Sequence, residues 1–282
     1  MRIIDGKKVE FVLSLSYGKD SMACIRAIEL LGWPLDRIVT ADIWATDAIH
    51  AERPPMVAFK EKADRIIKER YGIEVEHYHA VAVNGVRGQK VTYEDGFYSI
   101  RQKGKRVGSI YGFPMVKGEW CKKLKLNAID QISSDADIVI QYLGIAADEP
   151  LRIARHIDRP NIRLPLVELG WEEDLCGLWC KYSDLLAPTY ETSERDGCWF
   201  CHFQGVDQLR NLRHNYQELW QLLLKWDDDS PVIFSTSGHT VKDFDKRFRL
   251  EDEGVLIPND RRFKWKQLDQ PIQLSFFNME DK

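Results

Sequence analysis

Hydrophobic positions in the first half of the chain follow two alternating periods. Val9 to Ser16 is an apolar run of strand length that ends in a glycine turn, and from Lys19 to Leu31 the residues Met22, Ile25, Ala27, Ile28 and Leu31 recur at helical spacing. Strand, turn and helix in that order open a βαβ unit. The pattern predicts a second strand over Arg37 to Ile43 and a helix from Pro54-Pro55 to about Tyr71, because proline suits a first helical turn. Ile73 to Val83 reads as a third strand. Ile138 to Ala146 is a fourth, apolar almost throughout, as a central parallel strand covered on both faces would be. These elements predict an α/β fold built on a doubly wound parallel sheet.

Two shifts in composition divide the chain. Asn84 to Gly118 is rich in glycine, aromatic and basic residues, and reads as a long loop or insertion at the carboxyl edge of the sheet, where α/β folds place their sites. After Pro165 the strand signals fade, four cysteines fall within 26 positions, and Leu209 to Lys225 reads as one helix. A boundary near Leu166 to Gly170 therefore separates an α/β domain, residues 1–168, from a smaller, mainly helical, cysteine-bearing region, residues 169–282.

Composition adds exclusions. The 282 residues are 44% hydrophobic and 30% charged, which argues against disorder. No apolar run approaches the roughly 18 residues of a membrane span, and Met1 to Glu10 lacks the apolar core of a secretory signal, so a cytoplasmic address is expected. Six cysteines then read as thiols or metal ligands rather than disulfides. A net charge of -4 excludes a protein that coats nucleic acid non-specifically, yet Asn84 to Leu126 carries ten basic against three acidic residues and suits phosphates, with Arg261, Arg262, Lys264 and Lys266 adding to it.

The strongest local signal is Ser14-Leu15-Ser16-Tyr17-Gly18-Lys19-Asp20-Ser21, after a strand and before a helix. Backbone amides at such a turn and the positive end of the helix make an anion site, to which hydroxyls and one lysine add donors. The segment resembles the PP-loop, SxSGGKDS, of the phosphoadenylylsulfate reductase and N-type ATP pyrophosphatase families, with Tyr17 in place of the first glycine. A second segment, Leu143 to Arg152, resembles the G-I-R-x-x-E-x-x-R stretch of the same families, with Ala146 where several members have arginine and Arg152 or Arg155 left to supply that phosphate contact.

The resemblance spans roughly Val9 to Gln204 and implies an adenine-nucleotide α-hydrolase type of domain that holds ATP with Mg2+ and splits it between the α and β phosphates. It puts Lys19, Ser14, Ser16 and Ser21 on the pyrophosphate, with Tyr17 and Gly18 in the loop and Arg152 assisting. Asp42, at the end of the second strand, stands where such domains meet the nucleoside; Gly144, Asp148 and Glu149 stand beside the nucleotide, and Asp20 or Asp148 would help hold magnesium.

Cys176-x3-Cys180 and Cys198-x2-Cys201 form two close pairs of the kind that converge on one soft ion, zinc or an iron-sulfur cluster. Cys121 precedes Lys122-Lys123. In adenylylsulfate reductases and DNA phosphorothioation enzymes of the same superfamily, a cysteine just before such a basic helix joins a distant Cys-x2-Cys on a 4Fe-4S cluster, and Cys121 lies 77 positions before Cys198. Five cysteines thus compete for four places, and spacing leaves the metal open, while the resemblance favours the cluster. Cys24 reads as a buried core thiol.

The resemblance implies an enzyme that adenylates an acceptor and inserts sulfur into, or otherwise modifies, a nucleic acid, DNA or tRNA, with a sulfur donor protein as partner and Cys121 in the chemistry. A sulfonucleotide reductase is the enzyme alternative, but those reductases share a nucleophilic cysteine on a C-terminal tail, and here no cysteine follows Cys201 for 81 residues. A non-catalytic nucleotide-binding adaptor at DNA is the third reading. Gln273-Leu274-Ser275-Phe276-Phe277 resembles the peptide with which bacterial replication proteins dock on the sliding clamp, which would bring the chain to DNA.

Overall fold

The structure, a computed structural model, describes residues 1–82, 88–115, 120–191 and 197–269. The segment Gln273 to Phe277, and Arg87, Lys117 and Glu119 of the basic stretch, lie outside the described residues.

Along the chain run β1 (Arg2–Ile4), β2 (Lys7–Ser14), α1 (Lys19–Leu30), β3 (Arg37–Asp42), α2 (Pro54–Tyr71), β4 (Val75–His79), α3 (Tyr93–Tyr98), α4 (Lys122–Asp130), β5 (Ile138–Tyr142), α5 (Pro150–Ile153), β6 (Ile162–Arg163), α6 (Pro165–Glu168) and α7 (Glu173–Tyr182). A 3-10 turn (Pro188–Glu191) leads to α8 (Val206–Asn215), α9 (Gln217–Asp229), α10 (Val241–Asp252) and a last 3-10 turn (Trp265–Asp269). The strands lie in the order β4-β3-β2-β5-β6, all parallel, with β1 folded back antiparallel on the first residues of β2. The expected doubly wound sheet is therefore present. Its order reverses between β2 and β5, and such a reversal opens a crevice at the carboxyl ends of the two strands.

That crevice is where both segments that carry the family resemblance fall. Ser14 to Ser21 leaves the end of β2 and Leu143 to Arg152 leaves the end of β5, so strands that pair Leu13 with Tyr142 bring the two segments side by side. The approach is close. A Cβ on Gly144 would sit 2.6 Å from Ser21 Cα and 2.7 Å from Ser21 N, so only glycine lets the end of β5 pass the first turn of α1.

Two apolar cores support the crevice. In one, α1 is covered by the sheet on one side and by α6 and α7 on the other, which is why Met22, Ala23, Cys24, Ile25, Ala27 and Ile28 are all buried rather than one stripe of the helix. In the other, aromatic residues of α3 and its flanks pack with α8 to α10: Trp199 stacks on Trp226 at 5.4 Å, Tyr93 meets Phe200 at 4.0 Å, and Phe97 meets Phe113 edge-on at 5.4 Å. Packing crosses the division drawn near residue 168, since α7 joins the first core and Tyr93, Phe97 and Phe113 join the second.

Several boundaries differ from the pattern-based expectation. The glycine-rich stretch after Asn84 contains a helix, α3, fixed by a Thr92/Asp95 capping box that its aromatic composition conceals. The helix expected over Leu209 to Lys225 is two, broken at Tyr216, whose φ of -137° and ψ of 63° are not helical. The third and fourth strands stop earlier than expected, at His79 and Tyr142. No helix among the described residues is long and apolar enough to cross a membrane.

Adding a methyl at Gly144 is expected to cost about 1–3 kcal/mol, as overpacking against backbone does. Gly177→Ala, inside α7 with only Lys19 Cδ near at 3.6 Å, is expected to stabilise by about 0.5–1 kcal/mol. Urea unfolding of both variants checks the pair of opposite signs.

Candidate nucleotide and cysteine site

The crevice holds a cavity of about 480 Å³ lined by Ser16, Gly18, Asp20 and Ser21 of the loop, by Gly144 and Arg152 of the second segment, and by Cys198. The loop is stitched from within. Ser21 Oγ accepts from Ser16 N at 3.1 Å and donates to Gly18 O at 3.0 Å, and Gly18, extended, ends the loop as the N-cap of α1. The cavity therefore opens at the positive end of a 12-residue helix, which favours an anion there. Ser14 is set apart: its hydroxyl accepts from Gln141 Nε2 at 2.7 Å, between β2 and β5.

Tyr17 has a φ of 59°, the left-handed backbone that a glycine at this place in the loop would take at no cost. The strain is held by its side chain, which is fully buried and donates from its hydroxyl to Asp64 Oδ1 at 2.6 Å. Asp64 also accepts from His77 Nε2 at 3.0 Å, and His77 Nδ1 lies 2.6 Å from Asp42 Oδ2. The other oxygen of Asp42 accepts from Lys60 Nζ at 2.9 Å, and the same ammonium lies 2.6 Å from Glu52 and 5.0 Å from the centre of the Tyr17 ring. Asp42 is thus committed to Lys60 and His77, while Lys60 lines the cavity floor.

Charge states follow from these contacts. The hydrogen bond to Asp42 and then that to Asp64 hold the His77 imidazole up at about 9, against its partial burial. Burial alone would raise the Asp42 carboxyl, but the bond from His77 and the Lys60 ammonium outweigh it and hold it down at about 2. Burial, then Asp64, pushes the Tyr17 phenol far up, so it stays a donor.

Acids crowd the opposite wall. Asp20, Glu149 and Glu173 bring carboxylate oxygens within 4.8 Å of one another. Lys19 Nζ is 3.1 Å from Asp20 and 2.5 Å from Glu173, which together keep the ammonium charged in spite of its desolvation. Burial raises the Asp20 carboxyl, with Lys19 opposing it. Arg152 pairs with Glu149 at 2.5 Å, and Asp148 Oδ1 accepts from Glu173 N at 3.2 Å. Two residues with no signal in the sequence complete the wall: Glu173, 154 positions from Lys19, and Tyr190, whose hydroxyl accepts from Lys19 N at 3.0 Å.

The two cysteine pairs do not converge. Cys176 and Cys180 are fully buried between α7 and α1 beside Cys24, where burial pushes both thiols up to about 12, and Cys180 Sγ donates to Lys19 O at 3.2 Å. A metal ligand must be a thiolate, and this apolar packing opposes one. Cys121, Cys198 and Cys201 gather instead at the second core, around Tyr93. The Tyr93 hydroxyl is buried without a hydrogen-bond partner, and burial followed by these three thiols raises its phenol far above the ordinary value. As expected for its place before a basic helix, Cys121 is the N-cap of α4. None of the six cysteines forms a disulfide.

The loop, the strand order and the cavity define a doubly wound α/β protein with a crevice at its switch point, into which the amino end of α1 opens. No family model and no curated protein matches the chain. Among solved structures, it is similar to the U34-tRNA thiolase NcsA from Methanococcus maripaludis with its 4Fe-4S cluster, at 14% identity and a TM-score of 0.34, over 92% of this chain and 77% of that one.

The His77 pair of bonds makes stability depend on pH. A group whose folded value, about 9, lies above its ordinary 6.5 contributes fully below 6.5 and loses that contribution as pH rises through 9. With the His77 side chain 36% exposed, solvent screening leaves an expected loss of about 1–2 kcal/mol. Chemical unfolding of the wild type and of His77→Gln across pH 6 to 10 checks this, since the variant is expected to lose the slope.

Proposed function

We propose that the chain is an ATP-dependent PP-loop enzyme that activates an acceptor in a nucleic acid for sulfur insertion. One observation carries this reading: a single cavity has the phosphate loop as one wall and Cys198 as another, with Lys125 and Arg152 also lining it. Nucleotide chemistry and thiol chemistry thus share one space.

In this reading, ATP lies with its polyphosphate over Ser16, Gly18 and Ser21. Asp20, Glu149 and Glu173 would hold magnesium, which supplies charge neutralisation for the leaving pyrophosphate. Lys19 and Arg152, held by these same acids in the free chain, then turn to phosphate oxygens. An acceptor oxygen attacks the α phosphorus; its bond to phosphorus forms as the bond to pyrophosphate breaks. A sulfur nucleophile from a donor protein or sulfide next attacks the activated centre, and AMP departs with the acceptor's former oxygen.

Cys121, Cys198 and Cys201 would hold an iron-sulfur cluster, which supplies a place to carry sulfur to the activated acceptor. The donor set fits. Thiolates are the ligands that such clusters take, and three cysteines gather around Tyr93, with Cys198 lining the cavity. The partnerless Tyr93 hydroxyl beside them is a donor for a cluster or thiolate sulfur.

The test is an anaerobic incubation with labelled ATP and either bulk tRNA or DNA. AMP and pyrophosphate are expected with one of the two, reduced about 10²–10³-fold in Lys19→Ala. Cys198→Ser is expected to keep AMP formation and lose sulfur incorporation. No AMP with either nucleic acid would count against the reading, and sulfite released from a sulfonucleotide with thioredoxin would move the assignment to reduction. Absorbance at about 400 nm in the purified protein, lost in Cys201→Ser, checks the cluster.

A further inference from the structure

A separate cavity of about 260 Å³ lies where the amino end of α2, the Pro188–Glu191 turn and the α8–α9 junction meet. Pro55, Met56 and Pro188 form its apolar side, and Arg53, Thr189, Asn211 and Tyr216 its polar side. Every polar side chain here can donate a hydrogen bond, and among the described residues no carboxylate lines the space.

Arg53 is the informative residue. Five lysine, arginine, aspartate or glutamate residues are buried among the described residues: Glu10, Arg53, Lys60, Arg247 and Glu251. Four have their counter-charge inside the protein, Glu10 with Arg37, Lys60 with Asp42 and Glu52, and Arg247 with Glu251. Arg53, only 9% exposed, makes a single side-chain hydrogen bond, to the neutral Asn211 Oδ1 at 3.3 Å. A guanidinium cannot shed its charge, and burying it unpaired is costly, so the fold retains it at a loss unless an anion completes it.

A second, independent group points the same way. Thr189 is 7% exposed, and its hydroxyl is buried with no hydrogen-bond partner. The helix end does not account for the site: Pro54 and Pro55 carry no N–H, and Met56 N donates back to Arg53 O at 2.9 Å.

We propose that this cavity binds a small oxyanion, gripped by the Arg53 guanidinium with the Thr189 hydroxyl and the Asn211 amide as further donors. The volume admits a phosphate, sulfate or short carboxylate and is about half that of the nucleotide crevice. The site is separate from that crevice but mechanically joined to it. Thr189 precedes Tyr190, whose hydroxyl accepts from Lys19 N, so an anion that fixes the turn also fixes a contact at the start of α1.

Crystals soaked in selenate, and melting curves in sulfate, phosphate and propionate, test the proposal on the full chain. An anomalous selenium peak is expected within hydrogen-bond distance of the Arg53 guanidinium, and the anion-induced rise in melting temperature is expected to persist in Lys19→Ala, which separates this site from the phosphate loop. The midpoint of that rise is expected to shift at least tenfold in Arg53→Gln. Should that variant fail to fold, Asn211→Asp places a carboxylate beside the guanidinium; it is expected to raise stability in anion-free buffer and abolish the anion response. Comparing sulfate and phosphate with propionate distinguishes a tetrahedral from a carboxylate ligand. A selenium peak at the phosphate loop alone, a peak at Arg53 without any solution response (an adventitious ion only), or an unchanged response in Asn211→Asp would overturn the proposal.

Discussion

The architecture depends on one close approach. Where β5 ends, Gly144 passes the first turn of α1 with no room for a methyl group, and this contact sets the segments Ser14 to Ser21 and Leu143 to Arg152 side by side in one crevice. Ser21 and Gly144, 123 positions apart, meet there because the strand order reverses between β2 and β5, not because of any local feature of either segment. The helix dipole, the loop amides and the cation–carboxylate pairs act on a common space only because the backbones touch.

Around that contact the chain has two cores with different chemistry. The first is mainly aliphatic in its buried residues and covers α1, with Cys24, Cys176 and Cys180 serving as small apolar residues. The second is aromatic and presents Cys121 and Cys198 at its edge, partly buried, toward Tyr93. The cavity lies at the junction, so its two walls inherit their properties from separate packing units. One wall is charged and hydrogen-bonded, and the other carries sulfur.

Much of this was legible in the residue pattern. The elements β2, α1, β3 and α2 emerge close to their observed limits because their periods are clean, whereas the three residues of β1 are too few to carry a pattern. The PP-loop-like segment was legible for the same reason. What escaped the pattern depends on distance in the chain: Glu173 and Tyr190 reach Lys19 only through the packing of α7 and the turn after it. Close spacing also hid an inequality between the cysteine pairs, since Cys176-x3-Cys180 places both thiols on the face of a helix that the first core covers. The break at Tyr216 was concealed because Leu212 and Leu219 continue an apolar rhythm across it.

Tyr17 shows how a loop can do without its most permissive residue. A glycine would leave position 17 independent of the rest of the chain, but a tyrosine holding a left-handed backbone needs the acid at 64, and that acid in turn shares the imidazole at 77. These three positions, on a loop, a helix and an edge strand, are therefore coupled, and a change at one alters what the other two contribute. A homologue with glycine at 17 would be released from keeping the other two, and its loop would rest on backbone freedom where this one rests on a buried wedge.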